Sequence, residues 1–188
     1  MTTWIVMPIK APAACKTRLS GAMSDAARRD LVRDMLRHVV EVARAVPSAE
    51  LRILGPSRHG LAADIPLLAD PGRGLNAALA AAAEAASAAG ASRLVIVAAD
   101  LPRLTLSDLQ ALVSVEGDAL AVAPDRAGSG TNALSLPLPE AGAFRFQYGP
   151  DSFARHCAEA ARLGLPLQVI RSATLGLDID QPEDLAAI

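Results

Sequence analysis

The feature that most constrains the fold of this chain is an unbroken apolar run over residues 94–99, followed by Asp100 and, two positions later, Pro102. A run without polar alternation is typical of a strand that is buried on both faces, as in the middle of a parallel sheet. Pro102 has no N–H to donate to a neighbouring strand, so the strand must end before it. Asp100 is thereby placed at the carboxyl end of a central strand, which is where open α/β sheets bind ligands. The alternative is that Asp100 only caps a helix predicted over residues 105–113.

The remaining sequence alternates strand and helix patterns in the way that βαβ units do. This alternation predicts an α/β fold with a mostly parallel sheet and flanking helices. We predict a single domain over residues 1–188, because a chain of this length with 52% hydrophobic residues can bury one large core. Strands are predicted near residues 4–9, 50–54, 65–68, 119–123 and after 130. Phe144, Phe146 and Tyr148 alternate as one face of a strand would, and we expect them in the core or in the wall of a pocket. Helices are predicted over 24–46 with Ser24 as N-cap, over 77–90, around 152, and from Pro182.

Charge and cysteine usage exclude several classes of function. The formal net charge is -2 and no long basic run occurs, which argues against a nucleic-acid-binding surface. Cys15 and Cys157 lack C-x-x-C spacing, so neither a zinc site nor a disulfide framework is predicted. No signal peptide is predicted, because the N-terminus has no charged region followed by an apolar one. No membrane span is predicted, because the alanine-rich stretch 77–91 is short and contains Glu84 and Ser87. We therefore expect a cytoplasmic protein with small ligands and with no nucleic-acid or membrane partner.

The loop after the first predicted strand carries an unusual set of basic residues. The chain contains 16 arginines and only 2 lysines, and both lysines, Lys10 and Lys16, lie in this loop beside Arg18. Compact ammonium groups in a chain that otherwise uses arginine indicate a phosphate-binding role. A solvated basic loop is the alternative.

Three glycine-containing turns lie where the backbone can approach a ligand closely. The turn over residues 70–76 opens a helix, the turn over 128–130 precedes Thr131, and the turn over 149–151 supplies an acid as cap before Ser152. Backbone N–H groups and hydroxyls presented by such turns suit a phosphate or a carboxylate. Ordinary tight turns are the alternative.

Two acids near the end of the chain are spaced for a cation. Asp178 and Asp180 lie in an extended segment, where residues i and i+2 project to the same side. Together with Asp100 they supply the hard oxygen ligands that Mg²⁺ prefers. Carboxylates, a cation and phosphate-binding lysines indicate nucleotidyl transfer.

Six groups of residues, in this order, carry a resemblance to a known family: Lys10 with 16–19 (KTRL), Asp70 with 74–76 (GLN), 99–102 (ADLP), 128–134 (GSGTNAL), 148–149 with Ser152 and His156, and 178–180 (DID). From end to end, the chain resembles the 2-phospho-L-lactate guanylyltransferases of coenzyme F-420 biosynthesis. The resemblance implies a GTP-dependent enzyme with a nucleotide-diphospho-sugar transferase (Rossmann-like) fold. The acceptor's phosphate oxygen would attack the α-phosphorus of GTP and release pyrophosphate.

The resemblance also implies a role for each matching residue. It implies a Mg²⁺ site formed by Asp100, Asp178 and Asp180. It implies a site for the phosphorylated acid formed by Thr131, Gly149 and Ser152. It implies a GTP site formed by Lys10, Lys16, Arg18, Asp70, Gly74 and Asn76. Asp100 and Lys16 are the residues that we expect to act in the reaction itself, and His156 is assigned no catalytic role.

Several points remain open at this level. The resemblance implies 2-phospho-L-lactate, phosphoenolpyruvate or 3-phospho-D-glycerate as the acceptor. The arginine and alanine bias is typical of a GC-rich bacterial gene, and for such a gene the resemblance favours the last two. A molybdenum-cofactor guanylyl- or cytidylyltransferase and a non-catalytic nucleotide-binding module are the rival classes. We allow for a homodimer.

Overall fold

The computed structural model describes residues 2–10 and 16–187. Within these ranges seven strands form one sheet in the order β3-β2-β1-β4-β6-β5-β7. The strands are β1 (Thr3–Pro8), β2 (Ala49–Gly55), β3 (Leu67–Ala69), β4 (Arg93–Val97), β5 (Leu120–Pro124), β6 (Thr131–Pro137) and β7 (Leu167–Val169). The helices are α1 (Asp25–Arg44), α2 (Leu75–Ala88), α3 (Leu106–Val113) and α4 (Ser152–Leu163), with 3₁₀ helices at Thr17–Gly21 and Pro182–Ala187. None of the helices in this part of the chain is long and apolar enough to cross a membrane.

The sheet is mostly parallel, as predicted. β1 pairs in parallel with β2 and β4, β2 with β3, and β5 with β7, whereas β6 runs antiparallel to both β4 and β5. Because β6 is reversed, its first residues lie at the edge of the sheet where β1 and β4 end, with Ala133 opposite Val97. This edge therefore brings together the loop after β1, Asp100 after β4, and Thr131 at the start of β6.

The predicted central strand, β4, is buried on both faces. β1 and β4 each send alternate side chains to the two sides of the sheet, such as Ile5 and Val95 to one side and Val6 and Ile96 to the other. One side packs against α1 and α3, and the other against α2 and α4. Burying an aliphatic side chain of this size contributes about 1.5–3 kcal/mol relative to exposure. The absence of polar alternation in the sequence is explained by these two apolar layers.

The helix caps show whether Asp100 caps α3, an alternative that the sequence left open. Ser24 caps α1 by accepting a hydrogen bond from the backbone N–H of Ala27, as predicted. At the start of α3, Thr105 and Asp108 form a capping box in which each side chain accepts from the other residue's backbone N–H. This box satisfies the helix start, so Asp100 is not the cap of α3.

Residues 144–148 do not form the strand that the aromatic alternation suggests, but the aromatic residues lie in the core, as expected. Phe144 and Phe146 are buried against the side of the sheet that α4 covers, but the segment is irregular backbone that follows a turn at residues 141–143. Its backbone N–H groups at Arg145, Gln147 and Tyr148 donate to side chains of other elements instead of to a strand. The aromatic alternation therefore reflects packing. The short strand β7 was not predicted, because its residues are all exposed and show no comparable signal in the sequence.

Gly55, at the end of β2, is expected to tolerate no side chain. A Cβ at this position would lie 2.4 Å from the backbone carbonyl oxygen of Ile9. The backbone N–H of Ile9 donates to the carbonyl oxygen of Leu54, which holds Ile9 in place. Gly55→Ala should lower the free energy of unfolding by about 3 kcal/mol, because the backbone on both sides must shift. Urea denaturation would measure this loss, with Gly21→Ala as the control because open space surrounds Gly21. Equal midpoints for the two variants would contradict the prediction.

Candidate active site

Lys16 joins two of the predicted metal-binding acids. Its Nζ donates to Oδ2 of Asp100 and, over 2.7 Å, to Oδ1 of Asp180. The backbone of Lys16 is left-handed, with φ 53° and ψ 38°, which costs a residue with a side chain about 1–2 kcal/mol. Such strain is retained where the surroundings require it, often at functional sites. Here it turns the lysine toward the end of β4.

The ammonium of Lys16 stays charged in this position. Burial alone would lower the pKa of Lys16, but the charge and hydrogen bond of Asp100, reinforced by Asp180, raise it above the ordinary value. The lysine side chain is 9% exposed, so these contacts are only weakly screened by solvent. A fixed positive charge therefore lies at the edge where β1 and β4 end.

Asp178 completes the set of acids. Its Oδ1 lies 3.3 Å from Nδ2 of Asn132, which also donates to the backbone carbonyl of Leu175. Burial and the negative charge of Asp100 raise the pKa of Asp178, the hydrogen bond from Asn132 opposes this, and Asp180 adds a smaller rise. The three acids are thus close enough to repel one another. Sequence reasoning did not assign Asn132, although it follows Thr131 directly.

No group of three or more carboxylate, imidazole or thiolate side chains in the described ranges is arranged to hold a metal ion. The ammonium of Lys16 bridges Asp100 and Asp180 instead. The assignment of Mg²⁺ to Asp100, Asp178 and Asp180 stays a prediction.

Asp184 anchors the segment that carries Asp180. Its Oδ2 accepts from the backbone N–H groups of Asp180, at 2.9 Å, and Gln181, at 2.7 Å, and its Oδ1 accepts from Arg126. Burial raises the pKa of Asp184, but these N–H groups and the guanidinium lower it below the usual range overall. The sequence places Asp184 in the first turn after Pro182, where an acid is favourable, but does not show which backbone groups it binds.

The residues predicted to bind the phosphorylated acid gather at the start of α4. Oγ1 of Thr131 lies 3.0 Å from Nδ1 of His156, which is four residues after Ser152 on the same helix. The backbone N–H of Ser152 donates to the carbonyl of Gly149, and that of Phe153 donates to the carbonyl of Ser129. These bonds join the glycine turn before β6 to the first turn of α4. Thr131, Gly149 and Ser152 therefore belong to one cluster.

The cap predicted for α4 is wrong in one respect. Asp151 occupies the N-cap position, but its side chain makes no capping hydrogen bond within the described residues, because its backbone is left-handed at φ 55°. Gly149, at φ 131°, shares in this tight turn. The side chain of Ser152 is buried, and its hydroxyl has no hydrogen-bond partner in the part of the chain that the structure describes.

His156 is the functional candidate that sequence reasoning set aside. It is fully buried, and its Nε2 accepts the backbone N–H of Gln147 over 3.1 Å. Burial lowers the pKa of His156 to about 4, opposed by the negative charge of Glu159, so the ring is neutral at pH 7. Its spacing from Ser152 and its place among the residues that carry the resemblance were the signals in the sequence.

The residues assigned to GTP lie around the same edge, and their assignments stay predictions. Lys10 and Arg18 are exposed, and residues 11–15 between them, with Cys15, lie outside the described residues. Asp70 accepts from the backbone N–H of Gly72 and so shapes the turn before α2, which begins after Gly74 at φ 88°.

Asn76 holds two parts of the site together. Its Oδ1 accepts from the backbone N–H of Tyr148 over 2.8 Å, and its Nδ2 donates to the carbonyl of Tyr148 over 3.1 Å. Both ends of the amide are thus engaged with the segment that leads into Gly149. In this structure Asn76 ties the start of α2 to that segment.

The arrangement consists of an ammonium and three carboxylates near the buried hydroxyl-bearing residues Thr131 and Ser152, at the carboxyl ends of parallel strands. The fold is similar to that of a Desulfovibrio desulfuricans protein provisionally described as a nucleotide-diphospho-sugar transferase, with a TM-score of 0.82, 19% identity, and coverage of 98% of this chain and 85% of that one. This likeness shows the fold alone, and it is the fold that the sequence resemblance implies.

The sequence comparison identifies the family of this chain. Residues 3–188 match the family described as "Guanylyl transferase CofC like", and the chain belongs to that family. It is 38% identical to the phosphoenolpyruvate guanylyltransferase of Sphaerobacter thermophilus, covering 98% of this chain and 91% of the relative. It is 34% identical to the 2-phospho-L-lactate guanylyltransferase of Methanosarcina barkeri, covering 97% of this chain and 84% of that relative.

Proposed function

We propose that this protein transfers GMP from GTP to the phosphate of a three-carbon phosphorylated acid and releases pyrophosphate, as a step in coenzyme F-420 biosynthesis. The observation that carries the proposal is the adjacency of two unlike clusters. Lys16 with its acids lies at the end of β4, and Thr131 with Ser152 lies at the neighbouring start of β6 and α4. The first cluster suits a triphosphate and the second suits a small anion.

The reaction requires placement and charge neutralisation more than proton transfer. An oxygen of the acceptor's phosphate forms a bond to the α-phosphorus of GTP, and the bond from that phosphorus to the bridging oxygen of pyrophosphate breaks. The attacking oxygen is already ionised at neutral pH, so no general base is needed. Lys16 would hold phosphate oxygens of GTP, and its ammonium would offset the charge that develops on the leaving pyrophosphate.

We propose Mg²⁺ as the cation of this site. The chemistry of the donors supports this, although Lys16 bridges Asp100 and Asp180 here: the three acids offer hard oxygens, and burial and the charge of Asp100 and Asp180 raise the pKa of Asp178. When bound, the ion would neutralise charge on the triphosphate. The net charge of -2 and the unpaired spacing of the cysteines support a reducing, cytoplasmic setting without a nucleic-acid partner.

We propose phosphoenolpyruvate as the acceptor. The relatives named phosphoenolpyruvate guanylyltransferases are 33–41% identical to this chain, with three of them at 37–41%, and those named for 2-phospho-L-lactate are 34–36% identical. Pyrophosphate release should be measured with GTP and Mg²⁺ and with each of the three acids separately, with CTP as the control nucleotide. We expect release with GTP and phosphoenolpyruvate. Release with none of the three acids would contradict the proposed function.

Ser152→Ala tests the acceptor site. If the hydroxyl binds the acid, the variant loses a charge-assisted hydrogen bond, and kcat/KM for the acceptor should fall about tenfold or more. The KM for GTP should stay unchanged. Ser107→Ala, in the first turn of α3 and exposed, is the matched control and should behave as wild type. A loss confined to GTP would remove Ser152 from the acceptor site.

A further inference from the structure

We propose that His156 is a positioning residue for the acceptor: its Nδ1–H donates to the hydroxyl of Thr131 and so directs that hydroxyl's own proton toward the bound acid. The inference rests on the proposed function, because it deepens the role of the same acceptor site. In this proposal the tautomer of the buried His156 determines whether the Thr131 hydroxyl donates a hydrogen bond to the anion or turns its lone pairs toward it.

The position of the ring proton follows from the partner of Nε2. The backbone N–H of Gln147 points at Nε2 over 3.1 Å, and an amide N–H can only donate. Nε2 is therefore the unprotonated nitrogen, and a neutral ring must carry its proton on Nδ1. A doubly protonated ring would place two N–H groups head to head. Burial, which lowers the pKa of His156 to about 4, likewise favours the neutral ring with a single proton.

The consequence falls on Thr131. Nδ1 and Oγ1 are 3.0 Å apart, so the hydroxyl accepts the ring proton and retains one proton to donate. That hydroxyl has no second hydrogen-bond partner among residues 2–10 and 16–187. Phosphate and carboxylate oxygens bind donors, so a threonine held in this way presents the polarity that an anionic acceptor needs. With the other tautomer, the threonine would donate to the ring and present lone pairs to the anion.

The ring is held so that it cannot exchange its two nitrogens. Tyr148 lies against it edge to face, with centroids 4.8 Å apart, and Phe144 lies at 5.7 Å. The hydroxyl of Tyr148 is buried without a hydrogen-bond partner in the described residues, so it makes no hydrogen bond to the ring. The charged neighbour Glu159 is engaged by Arg162 and by the backbone N–H of Arg145. The hydrogen bonds at both ring nitrogens fix the remaining rotation.

Two near-isosteric variants separate the two nitrogens. His156→Asn can keep a donor at the position of Nδ1, whereas His156→Gln can keep an acceptor at the position of Nε2 but offers nothing to Thr131. We expect His156→Gln to lower kcat/KM for the acceptor about tenfold with an unchanged KM for GTP, as for the loss of one hydrogen bond to a charged ligand. His156→Asn should stay within about threefold of wild type, since the bond to Thr131 remains. Equal losses in the two variants would overturn the proposal, because a merely structural histidine does not distinguish them.

A double-mutant cycle tests whether His156 acts through Thr131. In a Thr131→Val background, which lacks the hydroxyl, His156→Gln should cause no further loss of acceptor kcat/KM. Multiplicative losses would overturn the proposal. If His156→Gln does not fold, as judged by circular dichroism, the ¹⁵N resonances of the ring in the labelled wild-type protein decide the question. Protonation at Nδ1 supports the proposal and protonation at Nε2 overturns it. This readout needs no activity, so it distinguishes failure of this inference from failure of the proposed function.

Discussion

Replacing Asp100 with asparagine is expected to reduce kcat by about a hundredfold to a thousandfold while the protein stays folded. Asp100 lies at the end of β4, where its carboxylate accepts from Lys16 and adds to the negative charge around Asp178. The amide keeps the size of the side chain but removes the charge that is proposed to hold the cation. Asp178→Asn should behave in the same way. Steady-state kinetics in Mg²⁺, with circular dichroism as the check on folding, measures the effect.

A matched control is available in Asp118, an exposed acid outside the site. Asp118→Asn should leave kcat and both KM values unchanged. If Asp100→Asn also kept near-normal turnover in Mg²⁺, the metal assignment would be wrong.

Lys16→Ala is expected to lower kcat/KM for GTP about tenfold to a hundredfold, with a much smaller change for the acceptor. The variant removes an ammonium that is charged and nearly buried, and it leaves Asp100 and Asp180 facing each other without the cation between them. A left-handed backbone at φ 53° is strained for alanine as it is for lysine. The variant therefore removes the charge and leaves the backbone strain unchanged.

Lys16→Arg is the companion variant for this prediction. It retains the positive charge, and its kcat/KM for GTP should lie between those of wild type and Lys16→Ala, since a planar guanidinium replaces a compact ammonium. An unchanged apparent affinity of Lys16→Ala for GTP would show that this lysine does not hold the triphosphate.

The parts of the fold that were predicted correctly are those encoded by neighbouring residues. The buried strand that ends before Asp100 was visible because both of its faces are apolar, and the start of α1 was visible because Ser24 caps it. The two aspartates 178 and 180 were visible as a pair because extended backbone has a two-residue period. The aromatic alternation at residues 144–148 did not predict the backbone correctly. The same pattern occurs in a strand and in an irregular segment that packs against one side of a sheet.

The sequence by itself therefore determined the class of fold, the edge of the sheet that carries the site, and the types of side chain available there. Only the tertiary structure decided which of them meet: Lys16 with Asp100 across 84 positions, Asn76 with Tyr148 across 72, and Thr131 with His156 across 25. Burial patterns and caps are local and can be found in a short window, whereas these contacts depend on strand order. The reversal of β6 brings Thr131 to the edge where β1 and β4 end, and no local pattern in the chain records that reversal.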